Sequence, residues 1–475
     1  MANEVELKLE LSPAAADLVA ASGLLAGTPG KARQISTYFD TDDQDVAKAG
    51  FSLRIRRTGK KRIQTIKADG ASAAGLFVRS EWECAVGQDI PVLDYSTPLP
   101  TLLGDAADAI APVFEVRIDR QTWLVEDGGA SIELVLDCGK VVAGERSAPV
   151  CEIELELKSG DSGALFDLAR KIDAAAPVRL GVLTKSERGY RLSAPVQPSA
   201  RAEPVALKPA MTAAEAFGRI IQSCIRHFRL NEALLLTAGD PHALHQARVA
   251  LRRMRSAFSI FRPVIGDDGA HLRDELRWLA STLGEARDLD VLFDRAQAGA
   301  LRDRIAAARE TAYDRVREVL ESPRARLLMF DIARWISPGA RADTNGGKAD
   351  GNQPARAFAG SALRRYRRKV RRLGRDLAHL DDETRHEVRK NAKKLRYATE
   401  FFASLFERKQ EKRRYKRFLA ALEELQDRLG ALNDLVSAPD VLERAGLAGN
   451  AEAAGLLAGN AGKKKLIEQA EAAHD

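Results

Sequence analysis

No run of 18 or more apolar residues occurs in the chain, so no segment reads as a membrane-spanning helix. The opening residues also lack the charged, apolar and small-residue succession of a secretory signal, and the expected address is the cytoplasm, with no membrane partner. Cysteine is scarce. Cys84, Cys138, Cys151 and Cys224 have neither metal-ligand nor disulfide-framework spacing, which suits a reducing compartment. Histidine is absent from residues 1–193, and with it the usual general base of a covalent mechanism. Aromatic residues make up only 6% of the chain, and its first part offers no stacking set beyond Tyr38, Phe39 and Trp82.

What is abundant is charge, unevenly spread. The formal net charge of +7 divides into 25 Lys/Arg against 30 Asp/Glu in residues 1–210, and 49 against 37 in residues 211–475. A basic half points to a polyanionic partner, and an acidic half to a metal or acid/base site. At 475 residues the chain is long enough for two or three domains.

The acidic half is patterned at a period of two. In Glu4-Val5-Glu6-Leu7-Lys8-Leu9-Glu10-Leu11 every even position is charged and every odd one apolar, as in a strand with one face buried. Glu152-Ile153-Glu154-Leu155-Glu156-Leu157-Lys158 repeats the pattern. Should both strands sit in one sheet with their charged faces together, their carboxylates would repel one another unless cations were bound. Hard ions such as Mg²⁺ and Mn²⁺ prefer such oxygen ligands. Between these strands lie others whose charges also share a face: Arg54 with Arg56, Arg79 with Glu81 and Glu83, and Glu133 with Asp137. Many strands with few crossover helices predict an antiparallel sheet that closes on itself around a charged interior.

Seven fragments in order, Glu4-x-Glu6-x-Lys8, Tyr38-x-Asp40-Thr41, Leu53-Arg54-x-Arg56, Lys67, Arg120-x-x-Trp123, Glu152-x-Glu154-x-Glu156 and Lys185-Ser186-x-Arg188-x-Tyr190, resemble the CYTH family of triphosphate tunnel metalloenzymes. The resemblance implies an eight-stranded β-tunnel over residues 1–193. By position it implies Glu4, Glu6, Asp137, Glu152, Glu154 and Glu156 as metal ligands, with Glu4, Glu6 and Glu154 closest to the chemistry. Lys8, Arg54, Arg56, Lys67, Arg117, Arg120, Lys185 and Arg188 would grip phosphoryl oxygens, although strand parity sets Arg117 opposite Arg120. The implied reaction is hydrolysis of inorganic triphosphate or a similar short phosphate. Water, oriented by a metal ion or a carboxylate, would attack directly. Positioning and charge neutralisation do most of such a reaction. The rivals are nucleotide chemistry in the same tunnel (adenylate cyclisation or thiamine triphosphate hydrolysis) and a non-catalytic scaffold for polyphosphate granules.

Residues 194–210, with four prolines, read as a linker. Beyond them the chain reads as all helical and duplicated. His245-Gln-Ala-Arg248-Val-Ala-Leu251-Arg252-Arg253-Met254-Arg255 aligns without gaps on His386-Glu-Val-Arg389-Lys390-Asn-Ala392-Lys393-Lys394-Leu395-Arg396. Leu283-Gly284-x-x-Arg287-Asp288 likewise matches Leu429-Gly430-x-x-Asn433-Asp434. Helical spacing gathers His245, Arg248, Arg252 and Arg255 into one stripe, and His386, Arg389, Lys393 and Arg396 into its copy. Arg253, Lys390 and Lys394 are further cations of the same motifs. These motifs resemble the CHAD family, which implies a helical module over residues 211–442 that binds inorganic polyphosphate; nucleic acid ranks below it. A flexible loop is expected at 337–354, and a frayed helical tail without assigned role at 443–475. The expected whole is an α+β multidomain protein, cytoplasmic, with polyphosphate granules as a further address.

Overall fold

The computed structural model describes residues 5–68, 71–73, 75–78, 80–94, 96–337, 351–444, 446–447 and 460–474. Two compact units are present: Met1–Gln197 with Met329–Arg341, and Pro198–Leu328 with Ala342–Asp475. The stretch expected to be a linker holds no helix or strand, and from Pro198 onward it belongs to the second unit. Val205 and Leu207 are buried, and Ser404 Oγ accepts from Leu207 N–H at 2.9 Å, both within the second unit.

The first unit is an antiparallel sheet of β1 (Glu6–Glu10), β2 (Gly30–Asp40), β3 (Phe51–Thr58), β4 (Lys61–Ala68), β5 (Ala71–Ala73), β6 (Leu76–Val78), β7 (Glu81–Ala85), β8 (Ala111–Asp127), β9 (Ala130–Ala143), β10 (Arg146–Ser159) and β11 (Arg179–Leu180). The order is β5-β6-β1-β10-β9-β8-β2-β3-β4-β7, with β11 against β1. β4 and β5 follow one another in the chain, as do β6 and β7. Counted as two long strands they reduce the ten strands of this path to eight, β11 lying outside it, and the ring returns on itself because β6 pairs with β1 while β7 pairs with β4. That is the expected eight-stranded closure. It leaves β1 and β10 adjacent and antiparallel, as the two acidic segments require.

Among the described residues, the α-helices that accompany the sheet are α1 (Pro13–Ala21), α2 (Asp45–Lys48), α3 (Leu99–Leu103), α4 (Gly163–Ala175) and α5 (Lys185–Ser193). α4 packs on β1 and β10, where outward-facing Leu7, Leu9, Ile153 and Leu155 and helical Leu165, Phe166 and Ile172 are fully buried. Each such side chain contributes roughly 1.5–3 kcal/mol. α2 and α3 cover Phe39, Leu53, Ile55 and Ile66 on another outer face. The interior has two zones. Tyr38, Phe114, Val116, Ile118, Val141 and Val150, with Tyr190 of α5, pack one stretch of it with apolar side chains. The charged residues occupy the other stretch, so this is a cavity with an apolar stopper and not a charged bore along its whole length.

Cys138 and Cys151 stand directly opposite one another on β9 and β10 and form a disulfide, which the linear spacing of the four cysteines concealed. Register, not separation along the chain, brings them together.

The second unit is built from α6 (Ala213–Ala238), α7 (Pro241–Ile260), α8 (Arg262–Ile265), α9 (Ala270–Arg295), α10 (Ala300–Glu321), α11 (Pro323–Ile336, whose second half clusters with the first unit), α12 (Ala355–Leu373), α13 (Asp382–Phe401), α14 (Lys409–Arg444) and α15 (Asn460–His474). Local sequence sets the first of these. The side chains of Thr212 and Glu215 cap one another's backbone N–H, and Gly239, at φ 62°, ends α6 in a left-handed turn. The duplication expected from the motifs is present: α7 packs against α6, α9 and α13, and α13 against α12, α14 and α7. The tail is helical as expected over its last residues, but packed rather than frayed. Its residues 460–474 form a helix against α14, with Ala470 fully buried and Lys463 Nζ 2.8 Å from Asp382 Oδ2. Most of the expected 337–354 loop lies outside the described residues.

Candidate functional site

Cross-strand register builds the first site. Glu10, Glu152, Asp137 and Arg120 form one rung across β1, β10, β9 and β8; Lys8 and Glu154 form the next, and Glu6, Glu156 and Glu133 a third. A period of two sends all of them to the same inner face. Above these rungs lies a cavity of about 260 Å³ lined by Glu6, Lys8, Arg54, Arg56, Lys67, Arg120, Glu133, Glu154, Glu156 and Lys185, together with Tyr38, Ser52, Glu81, Glu83, Val135, Thr184 and Ser186.

α5 supplies the last cations. Thr184 accepts from Glu187 N–H and Glu187 caps Thr184 in return, so the helix starts at Lys185 and aims it inward. Lys185 Nζ stands 2.7 Å from Asp137 Oδ2, 2.5 Å from Glu152 Oε1 and 2.9 Å from Glu154 Oε1. Lys8 Nζ is 3.0 Å from Glu152 Oε1, 2.5 Å from Glu154 Oε1 and 3.4 Å from Glu6 Oε1. Arg120 holds Asp137 with two bonds of 2.8 and 2.6 Å, and reaches Glu154 at 3.3 Å. Burial by itself would lower the Lys8 pKa, but Glu152, Glu154 and Glu6 outweigh it and raise the pKa well above the usual lysine range. Burial would raise that of Glu154, but Lys185, Lys8 and Arg120 outweigh it and hold the carboxyl well below its ordinary range. The ordinary charges of this cluster are thus mutually enforced.

The site residues expected from the sequence separate into groups. Glu6, Lys8, Arg54, Arg56, Lys67, Arg120, Glu154, Glu156 and Lys185 line the cavity, while Asp137 and Glu152 are fully buried directly beneath it. Arg188 also points inward, where it pairs with Glu10 and lies 3.7 Å from Glu152. Arg117 does not belong: it is exposed on the outer face and bonds Glu115 at 2.6 Å, as its odd position on β8 demands. Glu4 and Arg79 lie outside the described residues. The role of Glu81 and Glu83, which tie Lys67 at 2.8 Å and Thr65 at 2.9 Å, could be read only from the β4–β7 register.

Asp137, Glu152 and Glu154 each offer an oxygen within 4.8 Å of the others, and Glu152 Oε2 and Glu6 Oε1 have no hydrogen-bond partner. An all-oxygen donor set with unsatisfied buried oxygens fits a hard divalent cation.

The seat of α5 is narrow. A Cβ on Gly189 would come within 2.1 Å of the Phe114 ring. Gly189→Ala is therefore expected to destabilise the protein by about 1–3 kcal/mol in urea titrations. Because the same helix carries Lys185 and Arg188, it should also raise KM for a tunnel-bound phosphate.

In the helical unit, the two copies bring His245, Arg248 and Arg252 of α7 and Arg389 and Lys393 of α13 into one electrostatic field, countered by Asp288 and Asp434. The second motif anchors the first: Arg248 donates to Gly284 O at 2.7 Å and reaches Asp288 at 3.4 Å, and His386 Nδ1 bonds Asn433 Oδ1 at 2.7 Å. Arg252 Nε and Arg389 Nε are buried without a hydrogen-bond partner. Burial, with Arg252 and Arg389 beside it, lowers the Lys393 pKa to about 6, while burial and Arg287 lower that of His245 to about 4.

Other members of the expected stripe are elsewhere. Arg253 is buried, ion-paired with Glu400 and set over the Tyr397 and Phe401 rings, so it serves the core. Arg396 bonds Glu400 at 2.8 Å, and Lys390 pairs with Glu387 in solvent. Lys394 is half-buried and Arg255 exposed; Lys369 lies near the first and Arg277 near the second. A stripe drawn on an ideal helix cannot show which cations already have an acid beside them.

Fold and site thus define a closed, charged β-tunnel joined to a duplicated helical module. Residues 2–190 match the CYTH domain and residues 219–443 the CHAD domain, and the chain carries the two in tandem. Over 209 residues it is 31% identical to an inorganic triphosphatase of Haemophilus influenzae, an alignment that spans 40% of this chain and 55% of the relative, about half of its length. It is 28% identical over 413 residues to an uncharacterized protein of Mycobacterium tuberculosis, covering 76% of this chain and 74% of that one. The crystal structure of the CHAD domain from Ricinus communis superposes with a TM-score of 0.51 at 29% identity, over 58% of this chain and 96% of the other.

Proposed function

We propose that the tunnel hydrolyses inorganic triphosphate, or a similarly short linear phosphate, and that the basic cluster of the helical unit binds inorganic polyphosphate. The first reading rests on one observation. Lys8, Arg54, Arg56, Lys67, Arg120 and Lys185 converge with a set of carboxylates on one cavity, an arrangement suited to a chain of phosphoryl groups and its counter-cation. The match to the CYTH domain and the likeness to an inorganic triphosphatase support it.

Asp137, Glu152 and Glu154 would hold Mg²⁺ or Mn²⁺, with Glu6 and Glu156 on the neighbouring rung. When bound, such an ion neutralises phosphoryl charge and so lowers the barrier to attack by water. The arginines give bidentate contacts to phosphoryl oxygens, and the lysines act as point charges. Glu81 and Glu83 orient Lys67 and Thr65 from the wall. The carboxylates of the Glu6, Glu156 and Glu133 rung are the groups able to orient the attacking water, so no covalent intermediate is required. Nucleotide chemistry is disfavoured because Phe39 and Trp82 belong to the outer core cluster and, among the described residues, Tyr38 is the only aromatic one lining the cavity. The test is phosphate release from triphosphate, ATP and thiamine triphosphate with Mg²⁺ or Mn²⁺. Release from triphosphate alone is expected; equal or greater release from the other two would redirect the reading.

For the helical unit, Lys393 carries the sign of the pH dependence. Its folded pKa lies below its unfolded value, so the unfolded chain binds the extra proton and stability rises with pH from about 6 upward. A bound polyanion restores the charge. Binding should therefore take up close to one proton per site at pH 8 and weaken as pH rises from 6 to 8. Calorimetry in two buffers of different ionisation heat measures that uptake; none at pH 8 would remove Lys393 from the site.

A further inference from the structure

The three carboxylates able to hold a divalent ion already share a cation that belongs to the protein. Lys185 Nζ lies within 2.9 Å of one oxygen each of Asp137, Glu152 and Glu154. Those same residues can bring ligand oxygens within 4.8 Å of one another. The Lys185 ammonium donates to Glu152 and Glu154 and is ion-paired with Asp137. A divalent ion on these oxygens would sit 2.0–2.6 Å from them, so it and the ammonium compete for one position.

We propose, building on the reading that these carboxylates take a divalent cation, that Lys185 is an exchangeable counter-cation: the metal displaces it, and the phosphoryl chain accepts it. Metal and triphosphate then bind synergistically, and neither alone binds tightly. Two features of the site support the exchange. Lys185 lines the cavity, between Thr184 and Ser186, which line it too, so a rotation about its flexible stem carries Nζ from the floor into the space a phosphate would fill. Lys8 is the less suitable partner for exchange because its side chain is enclosed, at 2% exposed against 8% for Lys185.

Charge decides the sign of the coupling. Glu6, Asp137, Glu152 and Glu154 face Lys8, Arg120 and Lys185, while Arg188 is matched by Glu10. Expelling Lys185 with no anion to receive it gives up three close carboxylates for a cavity in which Arg54, Arg56 and Lys67 already stand among the wall carboxylates Glu81, Glu83, Glu133 and Glu156. With triphosphate present the same movement forms a new charge-assisted contact. By linkage, what the phosphate does for the metal the metal does for the phosphate.

The test is Mn²⁺ binding, followed by electron paramagnetic resonance, to the full chain stripped of metal and phosphate. Lys185→Met is expected to bind Mn²⁺ at least about tenfold more tightly than the wild type, since the competitor is gone and the carboxylates are less compensated. Lys185→Gln, which keeps a neutral donor in place, should do the same in smaller measure and serves where the Met variant folds poorly. Adding Glu154→Gln to Lys185→Met should abolish the gain. Should both Lys185 variants bind Mn²⁺ no more tightly than the wild type while Glu154→Gln alone still weakens binding, the exchange is wrong and the carboxylate seat stands. Were Glu154→Gln to leave Mn²⁺ affinity untouched, the seat itself fails, and this proposal with it.

Discussion

Glu154→Gln is expected to lower phosphate release from inorganic triphosphate by about 10²–10³-fold, the usual loss when one preorganised electrostatic group is removed from a reacting centre. The fold should survive. Gln has the same shape and its carbonyl can still accept from Lys8 or Lys185, which bond Glu154 at 2.5 and 2.9 Å. The substitution also leaves three carboxylates, Glu6, Asp137 and Glu152, facing three cations, Lys8, Arg120 and Lys185. A balanced cluster has no residual negative charge to attract a divalent ion. The variant should therefore melt within a few degrees of the wild type while losing both metal affinity and turnover. Release at the wild-type rate with Mg²⁺ or Mn²⁺ would end the metal-assisted reading.

The second large effect concerns the helical cluster, and there stability and binding should move in opposite directions. Arg252→Glu with Lys393→Glu is expected to weaken polyphosphate binding about a hundredfold, since each lost charge-assisted contact is worth about 1.5–3 kcal/mol. Each single reversal should leave the melting temperature unchanged or higher. The reason is that Arg252, Arg389, Arg248 and Lys393 repel one another, and Asp288 and Asp434 are the carboxylates that chiefly offset them. Cations kept together against their own repulsion are kept for a ligand. Binding should also fall steeply with salt, the logarithmic slope easing by about one for each phosphate contact removed. Loss of stability without loss of affinity would mark these residues as structural; a flat salt titration would remove the polyanion.

Most of the tunnel could be read from strand parity. Val5 through Leu11 and Glu152 through Lys158 alternate without a break, so the inner set Glu6, Lys8, Glu152, Glu154 and Glu156 could be listed before any pairing was known. Parity also warned against Arg117, and the outer face holds it as parity demands. What alternation could not supply is neighbourhood. That Asp137 stands between Arg120 and Glu152 follows from the registers of three strands, and that Lys185 reaches the same carboxylates follows from a helix entering from outside the sheet. The apolar stopper was hidden for the same reason. Phe114, Val116 and Ile118 share parity with Arg120, and only the length of β8 places them at a different depth.

In the helical half, the duplication and the cationic faces of α7 and α13 were legible because a period of 3.6 and a repeated motif are linear properties of a chain. The sorting of those cations was not. Arg253 and Arg396 turn to Glu400, whereas Arg252 Nε is buried without a hydrogen-bond partner and Lys393 feels Asp434 less than it feels Arg252 and Arg389, and that difference depends on which helix packs alongside. Residue order therefore settles the architecture, the inward faces and the sign of the charge they carry, since each depends on spacing within one segment. Pairing between segments distant in the chain settles which charges neutralise one another, which of them remain for a ligand, and that Cys138 meets Cys151, because Coulomb and contact energies depend on distance in space.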